Sequence, residues 1–239
     1  MLRTILSIAM LFQGIPFPGP GRAPVGAAAS VSVVQSATAQ NASTGATRAV
    51  TLSGVTSGST IAVWAFVCGD AGCISSGSNT TGVNDGTAYT AGINCNATNR
   101  PVTVWYLPNA SAGSHTITAS FNGVTPHYGA VVAFEIAGVN TTSPYDSAAS
   151  VAACGAGTGT STSVTSGATT SSADSALISI VAPITASSTT LTGSGWTNAT
   201  GGGALRGAYR VVSATGTFSN TWTLGASVNW TAGFAAFKP

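Results

Sequence analysis

Residues 102–136 read VTVWYLPNASAGSHTITASFNGVTPHYGAVVAFEI, and this stretch decides the fold class. VTVWYL is a short apolar run with β-branched and aromatic residues, the composition that suits a pleated, half-buried surface. A Pro-Asn-Ala-Ser-Ala-Gly turn follows. Then HTITASF alternates: Thr116, Thr118 and Ser120 face one way, and Ile117, Ala119 and Phe121 the other. That period of two is the signature of a strand with one face on a core. VVAFEI, residues 131–136, closes the stretch as a core strand.

The same grammar extends in both directions. Val31–Val33 and Val50–Leu52 alternate apolar and hydroxyl residues, and IAVWAFVC (61–68) is continuously apolar, as a central strand covered on both faces would be. Downstream, the strand candidates are 177–181 (LISIV), 208–212 (AYRVV), 217–224 (TFSNTWTL) and 230–237 (WTAGFAAF). Gly, Asn, Ser and Thr fill the intervals, as turns require. No helical periodicity competes. Residues 155–172 (GAGTGTSTSVTSGATTSS) are low in complexity, but the alternation around Thr162 and Val164 favours an exposed edge strand over a linker. The expected fold is all-β: an antiparallel two-sheet sandwich of jelly-roll or concanavalin-like type, with about a dozen strands.

A faint echo runs through the chain. Residues 106–134 align without gaps onto 209–237, with Tyr106/Tyr209, Gly113/Gly216, Thr118/Thr221, Ala133/Ala236 and Phe134/Phe237 identical. The echo implies two similar hairpin units facing each other within one domain.

Composition narrows the setting. The chain has 239 residues, with 7 Lys+Arg, 5 Asp+Glu and a formal net charge of +2. Charged residues are 5% of the chain, against 30 Gly, 30 Ser and 35 Thr. Solubility therefore rests on hydroxyls and amides. So few cations form no basic patch, which argues against nucleic-acid binding through phosphates. No apolar run is long enough for a membrane-spanning helix. Residues 1–28 stand apart from the domain expected over 29–239. MLRTILSIAMLF can be read as a secretory signal with Ala27-Ala28-Ala29 as its cleavage site. It can equally be read as a docking segment followed by a stiff spacer carrying Pro16, Pro18, Pro20 and Pro24.

The phrases TIAVWAFVCGD, VTVWYLPNASAGSHTITASFNG, YGAVVAFEIAGVNTTSPYD and YRVVSATGTFSNTWTLGASVNWTAGFAAFKP resemble a jelly-roll-like sandwich domain. Such domains are found in secreted bacterial proteins and in tailed-phage virion proteins. The resemblance spans roughly residues 30–238. It includes the F-x-x-A-G-V-x-x-x-S-P-x-D passage at residues 134–146. It implies a fold and an extracellular or virion-surface location, and it brings no catalytic residues.

Four cysteines, Cys68, Cys73, Cys95 and Cys154, suggest disulfides in an exported chain. Cys68 and Cys73 would close a short ring, leaving Cys95 for Cys154. The rival is a zinc site, which the spacing disfavours. No cofactor is implied.

Catalytic motifs are sparse in the chain. The single Glu, Glu135, could form a glycosidase pair with Asp146 or Asp85. Its alternation opposite Phe134 favours an exposed strand carboxylate instead. No Gly-x-Ser-x-Gly elbow exists. His115 and His127 flank one hairpin and read as strand-end surface histidines. Asn84-Asp85-Gly86-Thr87 reads as a turn ahead of a calcium loop. Carbohydrate binding draws the most residues, since sugar rings stack on aromatic faces. Trp196 within Gly-Ser-Gly-Trp-Thr-Asn, with Asn198, and Tyr145 beside Asp146 are the candidate ligand residues. The favoured function is a non-enzymatic structural or adhesion protein of a virion or bacterial surface, contacting a glycan or cell-surface receptor, with homo-oligomeric or virion assembly. The alternatives are a secreted carbohydrate-binding module or lectin and, more distantly, a polysaccharide-active hydrolase.

Overall fold

The computed structural model describes residues 30–40, 45–68, 79–94, 101–122, 128–165, 170, 172–183, 188–199 and 205–239, with backbone only over 152–165. Cys73, Cys95, the side chain of Cys154, His127 and the N-terminal 1–28 lie outside the described residues. Fourteen strands run through the described chain: β1 (Ser32–Gln40), β2 (Thr47–Val55), β3 (Thr60–Cys68), β4 (Asn79–Asn84), β5 (Thr90–Asn94), β6 (Val102–Leu107), β7 (Gly113–Asn122), β8 (Tyr128–Ala137), β9 (Tyr145–Thr165), β10 (Ser175–Pro183), β11 (Thr189–Leu191), β12 (Thr197–Asn198), β13 (Arg206–Val212) and β14 (Ser219–Phe237). No helix occurs among the described residues, and therefore none long and apolar enough to cross a membrane.

The pairings have a simple logic. β1 pairs with β8, β2 with β7, and β3 with β6, all antiparallel. β4 turns back into the approach to β5 through the Asn84–Ala88 bridge. This is one long hairpin, β1–β4 against β5–β8, rolled up so that β8 also pairs with β3 and β7 with β4. Rolling an eight-strand hairpin in this way makes a jelly roll. One departure is local: β5 leaves the second sheet and pairs with the edge of β6.

The second half repeats the pattern. β9 takes the place of β1 and β2 joined end to end, and β14 that of β7 and β8. The C-terminal part of β14 pairs with the start of β9 and its N-terminal part with the end of β9. β10 lies between β13 and β14, as β3 lies between β6 and β8. β11 pairs with β14 and β12 with β13, as β4 pairs with β7 and β5 with β6. The register breaks between Thr223 and Val228, where the first half has a connection between two strands. So 217–224 and 230–237, read as separate strands in the sequence, are one bent strand. The Tyr106/Tyr209 alignment follows this correspondence, β6 onto β13 and β8 onto the end of β14.

Three sheets result among the described residues, in place of the two expected: β1-β8-β3-β6-β5, β2-β7-β4, and β11-β14-β10-β13-β12 with β9 on β14. Each rolled unit has its own core. Leu52, Ile61, Val63, Ile117 and Val131 fill the first, and Leu177, Trp222, Leu224 and Phe234 the second. A third apolar layer lies between the units. It holds Trp64, Phe66, Val104, Val132 and Phe134 from one and Ile178, Ile180, Ala235 and Phe237 from the other. β3 is thus buried along its whole length, and apolar from Ile61 to Cys68, because both of its faces are covered. Each large side chain in that layer contributes about 1.5–3 kcal/mol by leaving water. Close approach is set by glycine: Phe134 packs on Gly207 of β13, where a Cβ would lie 2.9 Å from its ring, and Trp64 sits directly on Gly233 of β14.

Candidate functional site

The turns β4–β5 and β6–β7 meet at one end of the first unit. Asp85 starts a tight turn in which its Oδ1 accepts the Thr87 N–H at 3.1 Å and Gly86 takes φ 101°. The β6–β7 turn is fixed from behind by the β2–β3 turn. Gly58 N–H donates to Ala110 O at 2.9 Å, and Ala110 N–H to Ser59 O at 2.7 Å. Asn109 sits at φ 51°, a left-handed conformation that Asn tolerates better than most residues. A cleft of about 340 Å³ opens between the turns, lined by Asp85, Thr87, Leu107, Asn109, Ser111 and Ser114, among others.

His115 forms the floor. It shares the inward face of β7 with Ile117, Ala119 and Phe121, and is 8% exposed. Its Nδ1 meets Asp85 Oδ2 and its Nε2 meets the Ser111 carbonyl at 2.9 Å. Tyr89 OH donates to the same Asp85 oxygen at 3.2 Å. Both ring nitrogens thus face acceptors, which suits the imidazolium, a donor at both positions. Burial lowers the His115 pKa, but the bonds to Asp85 and Ser111 O, with the charges of Asp85 and Glu135, outweigh it and leave it raised. Burial likewise pushes Asp85 up, and the His115, Thr87 and Tyr89 bonds with the His115 charge overcome it and hold the carboxyl low. Tyr89 is pushed up by burial and then by the Asp85 charge.

The pair therefore stabilises the fold in a definite window. Asp85 contributes above its ordinary value of 3.8 and loses that contribution as pH falls through its lower folded value. His115 contributes fully below 6.5 and loses it as pH rises through its raised folded value. His115→Gln should then cost about 1–2 kcal/mol at pH 5.5 and measurably less at pH 8.5 in urea unfolding. An equal cost at both pH values would mean that the imidazolium is not the stabilising species.

Glu135 corrects the sequence reading. It was expected on an exposed face, and it is 0% exposed. Its alternation opposite Phe134 is as read, but that face of β8 looks into the core of the first unit. Its Oε2 accepts Gln35 Nε2 at 2.7 Å, and its Oε1 accepts Thr56 N–H at 2.8 Å and Ser59 Oγ–H at 3.0 Å. Burial raises its pKa, and these donors reverse the shift to a net lowering.

The carbohydrate candidates do not converge. Trp196, expected on an exposed loop, is 8% exposed. Its Nε1–H donates to Ser219 O at 2.9 Å and its ring meets Phe234 edge-on at 5.8 Å. It plugs the core of the second unit because the indole finds both an apolar wall and a carbonyl there. Asn198 is exposed on β12. Tyr145 belongs to the layer between the units, on the opposite face of that sheet from Trp196. It stacks on Tyr106 at 5.1 Å and 18°, with Phe237 at 5.7 Å. Asp146 is 3% exposed. His115, expected as a strand-end surface histidine, is buried instead, and the Asp85–Tyr89–His115 cluster is not apparent from the sequence. One signal was available: His115 has the parity of Ile117 and Phe121, which points it inward.

Cys68 is buried at the end of β3, opposite Tyr128. No group of three or more metal-ligating side chains occurs among the described residues. No family model, curated protein or solved structure matches the chain.

Proposed function

We propose that the chain is a non-enzymatic structural or adhesive protein of an exterior surface, on a phage virion or a bacterial envelope, that contacts a receptor or glycan. The observation that carries this reading is that His115, Asp85 and Glu135 spend their polar atoms inside the fold, the first two on each other and Glu135 on neutral donors. His115 has no nitrogen left to serve as a base, and Glu135 has both oxygens engaged in the interior. A general acid or base must reach the proton it moves. The exterior setting is supported by the hydroxyl-rich, charge-poor composition and by the resemblance to secreted and virion jelly-roll domains. A disulfide framework involving Cys68, Cys73, Cys95 and Cys154 belongs to the same reading.

The test uses the purified full chain. It should be retained saturably on bacterial envelopes or immobilised surface polysaccharides, or assemble into a defined oligomer, and release no reducing sugar from those polysaccharides. Its intact mass after alkylation under denaturing conditions should show fewer than four free thiols before reduction. Steady release of sugar by the wild type would overturn the non-enzymatic assignment. A secreted lectin remains the second reading, favoured specifically by the polar cleft of the first unit.

A further inference from the structure

The two units let one end be compared with its counterpart. The alignment that sets Tyr209 on Tyr106 also sets Phe218 on His115 and Thr217 on Ser114. At the second unit's end the Arg210 guanidinium lies over the Phe218 ring at 5.4 Å, and Trp196 closes the core behind it. At the first unit's end the same scaffold carries a cleft whose rim is hydroxyl and amide: Thr87, Asn109, Ser111 and Ser114, all exposed.

We propose that this cleft binds a small neutral saccharide, the ligand class through which the adhesive reading above would act, on which this proposal rests. Three features select that class. Among the described residues the ionised groups lining the cleft are Asp85 and His115, which neutralise each other, so they offer no net charge to a phosphate, a carboxylate or a metal ion. The free groups are alcohols and an amide, which exchange donor and acceptor roles with sugar hydroxyls. Half-buried Leu107 gives a small apolar contact for a ring's C–H face. The volume, about 340 Å³, is at the small end of ligand sites. The site is also built in advance. Ala110 is bonded on both its N–H and C=O, Thr87 is bonded to Asp85, and Ser59, which accepts the Ala110 N–H, is itself anchored on Glu135. Preorganised walls reduce the entropy lost on binding.

The experiment titrates the full chain with neutral hexoses, N-acetylhexosamines and their disaccharides. Binding is followed by calorimetry and by the imidazole resonances, of which the chain has only two sets. Saturable binding that moves the His115 resonances is expected. It should fall at least tenfold in Ser114→Trp and in Thr87→Trp, which fill the cleft from opposite walls, and persist in Thr217→Trp, the matching position of the second unit. Either cleft variant suffices if the other fails to fold. Binding that survives both would overturn the assignment of the cleft while leaving an adhesive protein that holds its glycan elsewhere. Absence of binding to every neutral sugar, or binding of charged saccharides only, would overturn the proposal outright. Retention of the same preparation on envelopes then decides separately whether the adhesive reading stands.

Discussion

Gly233→Val should destabilise the protein by about 3 kcal/mol, a fall in Tm of roughly 6–12 °C for a chain of this size. The reason lies in the layer between the two units. Trp64 projects from β3 across that layer onto the backbone of β14, and a Cβ at Gly233 would overlap the six-membered part of the indole. The ring has nowhere to go, since Trp64 is 0% exposed and is flanked by Phe66, Val104, Val132 and Ile178 in the same cluster. Close-packed interiors transmit such strain and do not absorb it. The backbone on the other side is no softer, because Gly233 is paired with Ile180 and Ala152 on its two neighbouring strands. Trp64→Leu alone leaves a void and is costly too. Combined with Gly233→Val, the smaller side chain vacates the space that the new methyls need. The double variant should therefore be more stable than the sum of the two single changes by 1 kcal/mol or more, roughly the coupling expected of residues in contact. Simple additivity would show that the two positions do not meet, and the packing of one unit on the other would have to be redrawn.

Much of this architecture is legible in the sequence, and the missing parts have physical causes. The run IAVWAFVC announces β3 because a strand covered on both faces leaves no room for polar residues. HTITASF announces β7 because one of its faces is solvated. β4, β5, β11 and β12 escape notice: NTTGVN, TAGIN, TTL and TN carry little apolar pattern, and they are strands only because β7, β6, β14 and β13 offer free edges to pair with. The doubling of the fold is audible only faintly for a related reason. A rolled hairpin is specified by where strands begin, turn and pair, and many side chains satisfy it. Trp64 on Gly233 and Phe134 on Gly207 are one-sided contacts that need not repeat.

The site is less legible. Trp196 does lie outside the strands, in the connection from β11 to β12, as the Gly-Ser-Gly-Trp-Thr-Asn text suggests, but nothing local reveals that its ring turns inward to Phe234 and the Ser219 carbonyl. The cleft depends on two turns far apart in sequence, held by the β2–β3 turn, which no local pattern joins. Asp85 and His115 become partners only once β4 and β7 are neighbours.

Glu135→Gln should cost about 2–4 kcal/mol at pH 7, because it sets an amide among groups that all donate. Gln35 Nε2, Thr56 N–H and Ser59 Oγ–H converge on the two carboxylate oxygens, and an N–H₂ in place of either oxygen meets a donor and leaves it unpaired in the interior. The substitution would also unfasten Ser59, and with it the turn that supports Ala110 and the cleft. Loss of sugar binding in this variant would thus report a loosened wall, and loss of any hydrolysis would not identify Glu135 as an acid. The pH dependence separates the charge from the shape. The folded pKa is held below the ordinary 4.5, so the carboxylate's contribution is present above that value and is lost as pH falls through the folded one. The stability gap between wild type and Glu135→Gln, measured by urea unfolding, should therefore be wide at pH 7, persist to about pH 5, and narrow towards pH 3, where a protonated carboxyl suffers the same conflict with its donors. A gap of constant size across that range would mean that these donors recognise the shape of the side chain and not its charge. The buried anion would then no longer be what fastens β1, the β2–β3 turn and β8 together.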